Sequence, residues 1–206
     1  MNRSCLRNLS NREQTKTLIV TFGSHNKKFG LLPRFEFVRF LEEHFPDTDR
    51  HFYIDDKMDL YHKGIQGIST NIDETVEYLK NEIANYENVI FMGISSGGYA
   101  AILLGSLLNI NYVLAFIPQT LRMKSNIDEK YRDISPYINE TTQYYIYGDA
   151  SILNSNDFHH ISHCERIVEN HPNVFLTKKN PFDIKKMRDD GELYSILSNI
   201  PRPIDN

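Results

Sequence analysis

The chain has 206 residues, 40% of them hydrophobic and 24% charged, with a formal net charge of −4. That length suits one domain with a core of its own. The acidic balance and the lack of any Lys/Arg-rich block argue against a nucleic-acid partner. The opening MNRSCLRNLSNREQTK has no apolar stretch of the secretory kind, and no apolar run reaches the roughly 18 residues of a membrane span. Two cysteines far apart, Cys5 and Cys164, make no disulfide framework. These features lead us to expect a soluble cytoplasmic protein.

Residues 1–16 are polar and read as a flexible arm, with 17–206 forming a single domain. Thr17 to Phe22 (TLIVTF) reads as a buried strand. Arg34 to Phe45 reads as a helix stopped by Pro46. His51 to Ile54 is a second strand. From Asn71 to Tyr86, Ile72, Val76, Leu79 and Ile83 recur at helical spacing, and Ser69, Thr70 or Asn71 can cap the start. Val89 to Met92 is a third strand. The helix predicted from Gly97 to Leu108 is apolar nearly all round, as a buried helix is. Tyr112 to Ile117 is a fourth strand, and residues 118–142, which lack periodicity, read as a small cap or lid. Gln143 to Tyr147 is a fifth strand, Asp157 to Glu169 a helix, and Val174 to Thr177 a sixth strand. Asp183 to Leu197 is a last helix, with a weak spot at Gly191.

Strands that are apolar throughout and alternate with helices imply a parallel sheet covered on both faces. The predicted fold is therefore α/β, a three-layer α/β/α sandwich around a mostly parallel six-stranded sheet. Ligands in such sheets bind beyond the C-terminal strand ends. The loops that matter then open near Gly23, Asp55, Gly93, Pro118, Gly148 and Lys178.

Gly93-Ile94-Ser95-Ser96-Gly97 lies between a strong strand and a strong helix. G-x-S-x-G in that setting puts serine on a tight, strained turn and aims the next backbone N–H at a developing oxyanion. The bare pattern is weak, and a turn that merely needs glycine and a serine cap would have the same sequence. With its context, the segment makes Ser95 a candidate nucleophile and the Ser96 amide a candidate oxyanion donor.

Here the chain resembles the α/β-hydrolase superfamily, over roughly residues 17–198. That resemblance implies an acid after the strand two beyond the elbow strand and a histidine after the next. It also implies a second oxyanion donor in the loop after the first core strand, here the Gly23 or Ser24 amide. His25 in the same loop is a third candidate base, a substrate contact or simply a polar loop residue. More narrowly, the chain resembles compact hydrolase-like domains associated with surface-glycan biosynthesis. YHKGIQGI (61–68), GISSGGYAAILLGSLLN (93–109), FIPQT (116–120) and MRDDGEL (187–193) carry that likeness. It implies a small-molecule or glycan acyl-ester substrate.

Asp149 directly follows the strand QYYIYG, where a carboxylate would orient a histidine. It would equally suit a simple Gly-Asp turn. Asp157 is the alternative acid, or a helix cap. The histidine is harder to place. Residues 176–193 contain none, and Asn180-Pro181-Phe182 stands where the resemblance implies one. The substitute is the segment Asp157-Phe158-His159-His160-Ile161-Ser162-His163. Read as a helix, it puts His160 and His163 on one face, and we take these two as the candidate bases, His160 first. Exposed histidines at a polar helix start are the plainer reading. His62, with Tyr61, could shape a pocket or lie in a surface loop.

The histidine cluster superficially resembles metal-ligand spacing, but no C-x-x-C or H-E-x-x-H segment supports it. Phosphate-binding glycine loops are missing too, so no metal and no cofactor is expected. Two functions follow. One is a serine esterase or acyltransferase acting on an acyl ester. The other is a lapsed hydrolase fold used as a binding module, supported by the missing histidine.

Overall fold

The computed structural model describes residues 4–10, 15–25, 35–122, 128–169 and 171–200. Among these, seven strands form one sheet: β1 (Cys5–Asn8), β2 (Thr17–Phe22), β3 (Asp49–Tyr53), β4 (Asn88–Ile94), β5 (Tyr112–Phe116), β6 (Gln143–Asp149) and β7 (Val174–Lys179). Their spatial order is β1-β3-β2-β4-β5-β6-β7. Every pair is parallel except β1 with β3, where Cys5 faces Tyr53 and Asn8 faces Arg50. The sequence expectation of six strands thus misses one. Cys5–Asn8, read as part of a loose arm, is an antiparallel edge strand.

The strand sequences explain the layers. In β2, Leu18, Val20 and Phe22 face one core and Ile19 the other; in β4, Val89 and Phe91 oppose Ile90 and Met92. Period-2 alternation with both faces apolar means both faces are buried. On the first face lie α2 (Ile72–Ile83) and α3 (Ser96–Leu108). On the second lie α1 (Val38–His44), α5 (Ile184–Asp189) and α6 (Glu192–Asn199). The result is the expected three-layer α/β/α sandwich.

The helix ends follow local chemistry. Asn71 caps α2 by accepting the Glu74 N–H at 2.8 Å, and Glu74 accepts the Thr70 N–H at 2.8 Å in return, a reciprocal cap. Between α5 and α6 stands Gly191 at φ 77°, so the expected single helix is two, broken at its weak spot. The expected helix from Asp157 to Glu169 contracts to α4 (Ser162–Glu165), preceded by turns.

Segment 118–142 is only partly described, residues 123–127 lying outside. Leu121 bridges Asp133, and Tyr131, Ile134 and Ile138 pack into the core on the α3 side. Arg166 clamps Asp133 through two hydrogen bonds of 2.8 and 2.7 Å. The chain runs from β2 outward to β3, then returns to β4 on the other side of β2. That reversal is a topological switch point at the C-terminal ends of β2 and β4, the position where sheets of this kind hold ligands.

Candidate active site

Ser95 sits at that switch point, between β4 and α3, with φ 54° and ψ −115°. A non-glycine residue at positive φ is strained, and such strain gathers at functional turns. The two flanking glycines allow the chain to pass. A Cβ on Gly93 would lie 2.3 Å from the Gly97 carbonyl carbon, and one on Gly97 would lie 2.0 Å from the Phe22 carbonyl oxygen. Glycine is needed here for close backbone approach. The Ser95 N–H is tied to Phe116 O at 2.9 Å, which fixes the turn to β5. Ser96 begins α3, whose first N–H groups have no intrahelical acceptor.

Two side chains reach the Ser95 hydroxyl. His159 Nε2 lies 2.7 Å from Oγ, and Gln119 Nε2 donates to Oγ at 3.2 Å. Gln119 follows β5 in the segment FIPQT. Its amide orientation is set by Arg122, whose Nη1 donates to Gln119 Oε1 at 2.7 Å. The Arg122 guanidinium also stacks on the Phe158 ring, 4.6 Å from its centroid.

Burial holds the His159 pKa below its usual value, and the Arg122 charge adds to this; Asp157 and Asp149 pull the other way and lose. The ring is therefore neutral near pH 7, able to accept a proton from Oγ.

The sequence candidates divide. His160 turns its Nδ1 to Ser162 Oγ at 2.8 Å. His163 accepts the Thr120 N–H on Nδ1 at 3.3 Å, and its carbonyl takes the Thr120 hydroxyl at 2.7 Å. Neither touches Ser95; their neighbour His159 does. The helix-face assumption produced this difference. Asp157 Oδ1 accepts the His159 backbone N–H at 2.8 Å and holds the segment in a turn, so helical spacing does not apply. The three rings point to separate partners.

Asp149 closes β6, as expected. Its carboxylate is taken up by Ser151, through the backbone N–H at 2.8 Å and the hydroxyl at 2.6 Å. Burial pushes the Asp149 pKa up, but these bonds, with one from the Phe182 backbone, outweigh it and leave it below the usual value. Asp157 Oδ1 is 3.9 Å from His159 Nδ1, too far for a hydrogen bond. Both carboxylates thus act on the ring through space. Phe182 packs on Phe116, with centroids 5.9 Å apart.

The loop after β2 is also rearranged relative to expectation. The Gly23 N–H is bound to Tyr53 O at 2.8 Å, extending the sheet ladder, which removes it as an oxyanion donor. The Ser24 N–H makes a long 3.3 Å bond to Glu36 Oε2, and its hydroxyl bonds the same carboxylate. The His25 N–H donates to Ser96 Oγ at 2.9 Å, and its ring lies 3.0 Å from Asp55 Oδ2. These bonds tie the loops after β2, β3 and β4 together. His62 is a strut as well: Nδ1 accepts the Asp128 N–H at 3.1 Å and Nε2 meets Tyr99 Oη at 2.8 Å. Tyr61 is fully buried, its hydroxyl on Gly23 O at 3.0 Å.

Sequence reasoning missed His159, Gln119 and Arg122. FIPQT was noticed only for its resemblance, and nothing in the sequence says that an amide would follow β5 into the site.

No family model matches the chain, and no curated protein does. Solved structures do match. The capsule O-acetyltransferase of Neisseria meningitidis serogroup A superposes with TM-score 0.65 at 14% identity, covering 95% of this chain and 91% of that one. A lipase-esterase related protein from Clostridium acetobutylicum ATCC 824 gives 0.61 at 12%, covering 96% and 98%. The Bacillus cereus carboxylesterase gives 0.57 at 11%, covering 93% of each. Together with the strand order and the elbow, these likenesses establish that the chain has an α/β-hydrolase-type fold.

Proposed function

We propose that this protein is a serine-dependent esterase or acyltransferase, with Ser95 as nucleophile and His159 as its base. The observation that carries the reading is the 2.7 Å contact between Ser95 Oγ and the ring nitrogen of a histidine kept neutral by burial. Ser95 Oγ attacks the ester carbonyl while His159 Nε2 takes the hydroxyl proton. The oxyanion is met by the Ser96 N–H at the start of α3 and by Gln119 Nε2, already beside Oγ. The carbon–oxygen bond to the alcohol breaks, the alcohol leaves with the proton from His159, and the acyl group stays on Ser95. Water or a second hydroxyl then attacks the acyl carbon while His159 takes its proton; the bond from that carbon to Oγ breaks, His159 returns the proton to Ser95 Oγ, and the acid or new ester leaves.

The O-acetyltransferase among the structural neighbours supports acyl transfer to a hydroxyl, and the esterases support hydrolysis; a glycan substrate rests on the sequence resemblance alone. Two unpaired cysteines support a reducing compartment such as the cytoplasm. A second reading, a lapsed fold used for binding, is favoured by one observation: no carboxylate among the described residues hydrogen-bonds His159 Nδ1.

A neutral fluorophosphonate probe separates the two. Wild type should label at Ser95, Ser95→Ala should not, and His159→Ala should slow labelling by about 10²–10⁴-fold. His160→Ala should label at the wild-type rate. A folded wild-type protein that does not label refutes the enzyme reading, and equal loss in His160→Ala and His159→Ala refutes the choice of base.

A further inference from the structure

Arg122 is 4% exposed, yet its charge is unpaired. Among the described residues its Nε is buried with no hydrogen-bond partner, and no ion pair includes it. A buried cation without an anion is costly, and natural proteins pair such groups or use them. Its side chain's hydrogen bond and ring contact both lead toward Ser95. Nη1 holds Gln119 Oε1, whose amide nitrogen donates to Ser95 Oγ, and one guanidinium face lies on Phe158, the residue before His159. Arg122 therefore lies one glutamine amide away from the candidate nucleophile.

We propose that Arg122, with Gln119, forms a subsite for an anionic oxygen group of the substrate, a carboxylate or a phosphate. The preferred ester then carries negative charge close to the scissile bond. The proposal rests on Ser95 being the nucleophile. The planar guanidinium presents donors in a fork that matches either oxyanion. Phe158 covers one of its faces, and the buried Nε–H is a donor that no described protein group takes. Binding is coupled to the chemistry through Gln119. Because Arg122 occupies its oxygen, the amide must turn its N–H groups toward Ser95. A neutral ester gains the orientation of Gln119 but leaves the buried cation unpaired.

The test compares 4-nitrophenyl butyrate, which is neutral, with 4-nitrophenyl hemisuccinate, which carries a carboxylate on its acyl group. Wild type should favour the hemisuccinate in kcat/KM by about tenfold or more, the size expected for a hydrogen bond to a charged group. Arg122→Gln should bring the ratio close to one, and Arg122→Lys should restore part of it. A wild-type ratio near one overturns the proposal. So does Arg122→Gln lowering both rates equally, since that is the mark of a role confined to orienting Gln119. Calorimetric titration with succinate and with inorganic phosphate gives an independent readout and distinguishes the two anions. Millimolar binding that Arg122→Gln or Arg122→Lys weakens supports the subsite even if neither ester is cleaved, a result that would sink the Ser95 reading alone. Absence of binding by both anions overturns the subsite.

Discussion

Gly97→Ala tests whether the elbow depends on close backbone approach. The new Cβ would lie 2.0 Å from Phe22 O and 2.8 Å from Phe22 C, both backbone atoms with no rotamer to yield. Ordinary carbon contacts need about 3.5 Å, so the end of β2 and the start of α3 must part by roughly 1 Å or more. β2 cannot simply retreat, because Phe22 is in register with Gly93 of β4 and with Tyr53 of β3. Overpacking of this kind costs about 1–3 kcal/mol or more, several degrees in melting temperature for a domain this size. The shift falls on Ser95 and the Ser96 N–H together, and a 1 Å misplacement at a reacting centre costs about 10²-fold in rate. Two controls divide the causes. A Cβ on Gly105 meets Val113 Cγ2 at 2.7 Å and Ile110 Cδ1 at 3.2 Å, side-chain ends away from the elbow, so Gly105→Ala should lose stability while Ser95 labels normally. Gly191 has open space but φ +77°, so Gly191→Ala should cost about 1 kcal/mol of backbone strain without touching reactivity. Melting curves and fluorophosphonate labelling of all three variants supply the readouts. If Gly97→Ala melts and labels as wild type does, the elbow geometry described above is wrong.

Two pH effects follow from His51, which is buried, and His159, which is partly buried. Burial first, then the Arg7 charge, lowers the His51 pKa from 6.5 to about 4. Glu82, 3.5 Å from Nδ1, would favour the charged ring, but its carboxylate is already paired with Arg7 at 2.6 Å, and we take burial to win. Because the folded pKa lies below the unfolded one, this stabilisation is full above pH 6.5 and is lost as pH falls through about 4, a loss of about 3 kcal/mol. Urea unfolding of wild type and His51→Gln at pH 7 and pH 4 checks this; an equal drop in both proteins rules it out. Partial burial also holds His159 below its usual pKa, so the midpoint of the acid limb of Ser95 labelling should fall below pH 6.5. An acid limb centred above pH 7 would mean that the carboxylates Asp149 and Asp157 outweigh burial.

Most of the sheet was legible because its central parallel strands are apolar on both faces. TLIVTF and VIFM carry that pattern without interruption, and their bounds moved by at most two residues. The edge strand Cys5–Asn8 was illegible for the opposite reason. Its residues are only half-buried or exposed, and it is held by pairing with β3, which no local pattern in CLRN announces. The elbow was legible because its two glycines are required by contacts within the strand–turn–helix unit, plus one contact with the neighbouring strand. The second oxyanion donor was not, since the Gly23 N–H is committed to Tyr53 O, a residue distant in sequence.

The histidine beside Ser95 is the neighbour of the pair expected from the sequence, and the reason lies in the local turn. A helix through 157–169 would present His160 and His163 together, but the Asp157 carboxylate captures the His159 N–H and stops that helix from starting. The same turn brings Phe158 over Arg122 and His159 onto Ser95. One aspartate therefore does locally what the superfamily pattern assigns to a histidine after the last strand: it delivers an imidazole to the elbow from the other side of β6. Its carboxylate is spent on the backbone and stands 3.9 Å from Nδ1, and Asp149 is spent on Ser151 and Phe182. The ring is thus positioned by its turn and kept neutral by its burial. In the proposed mechanism its charged form would be stabilised only through space by these two carboxylates, with the nearby Arg122 opposing it. An anionic group bound at Arg122 would cancel that opposition, which links the charge of the substrate to the basicity of His159.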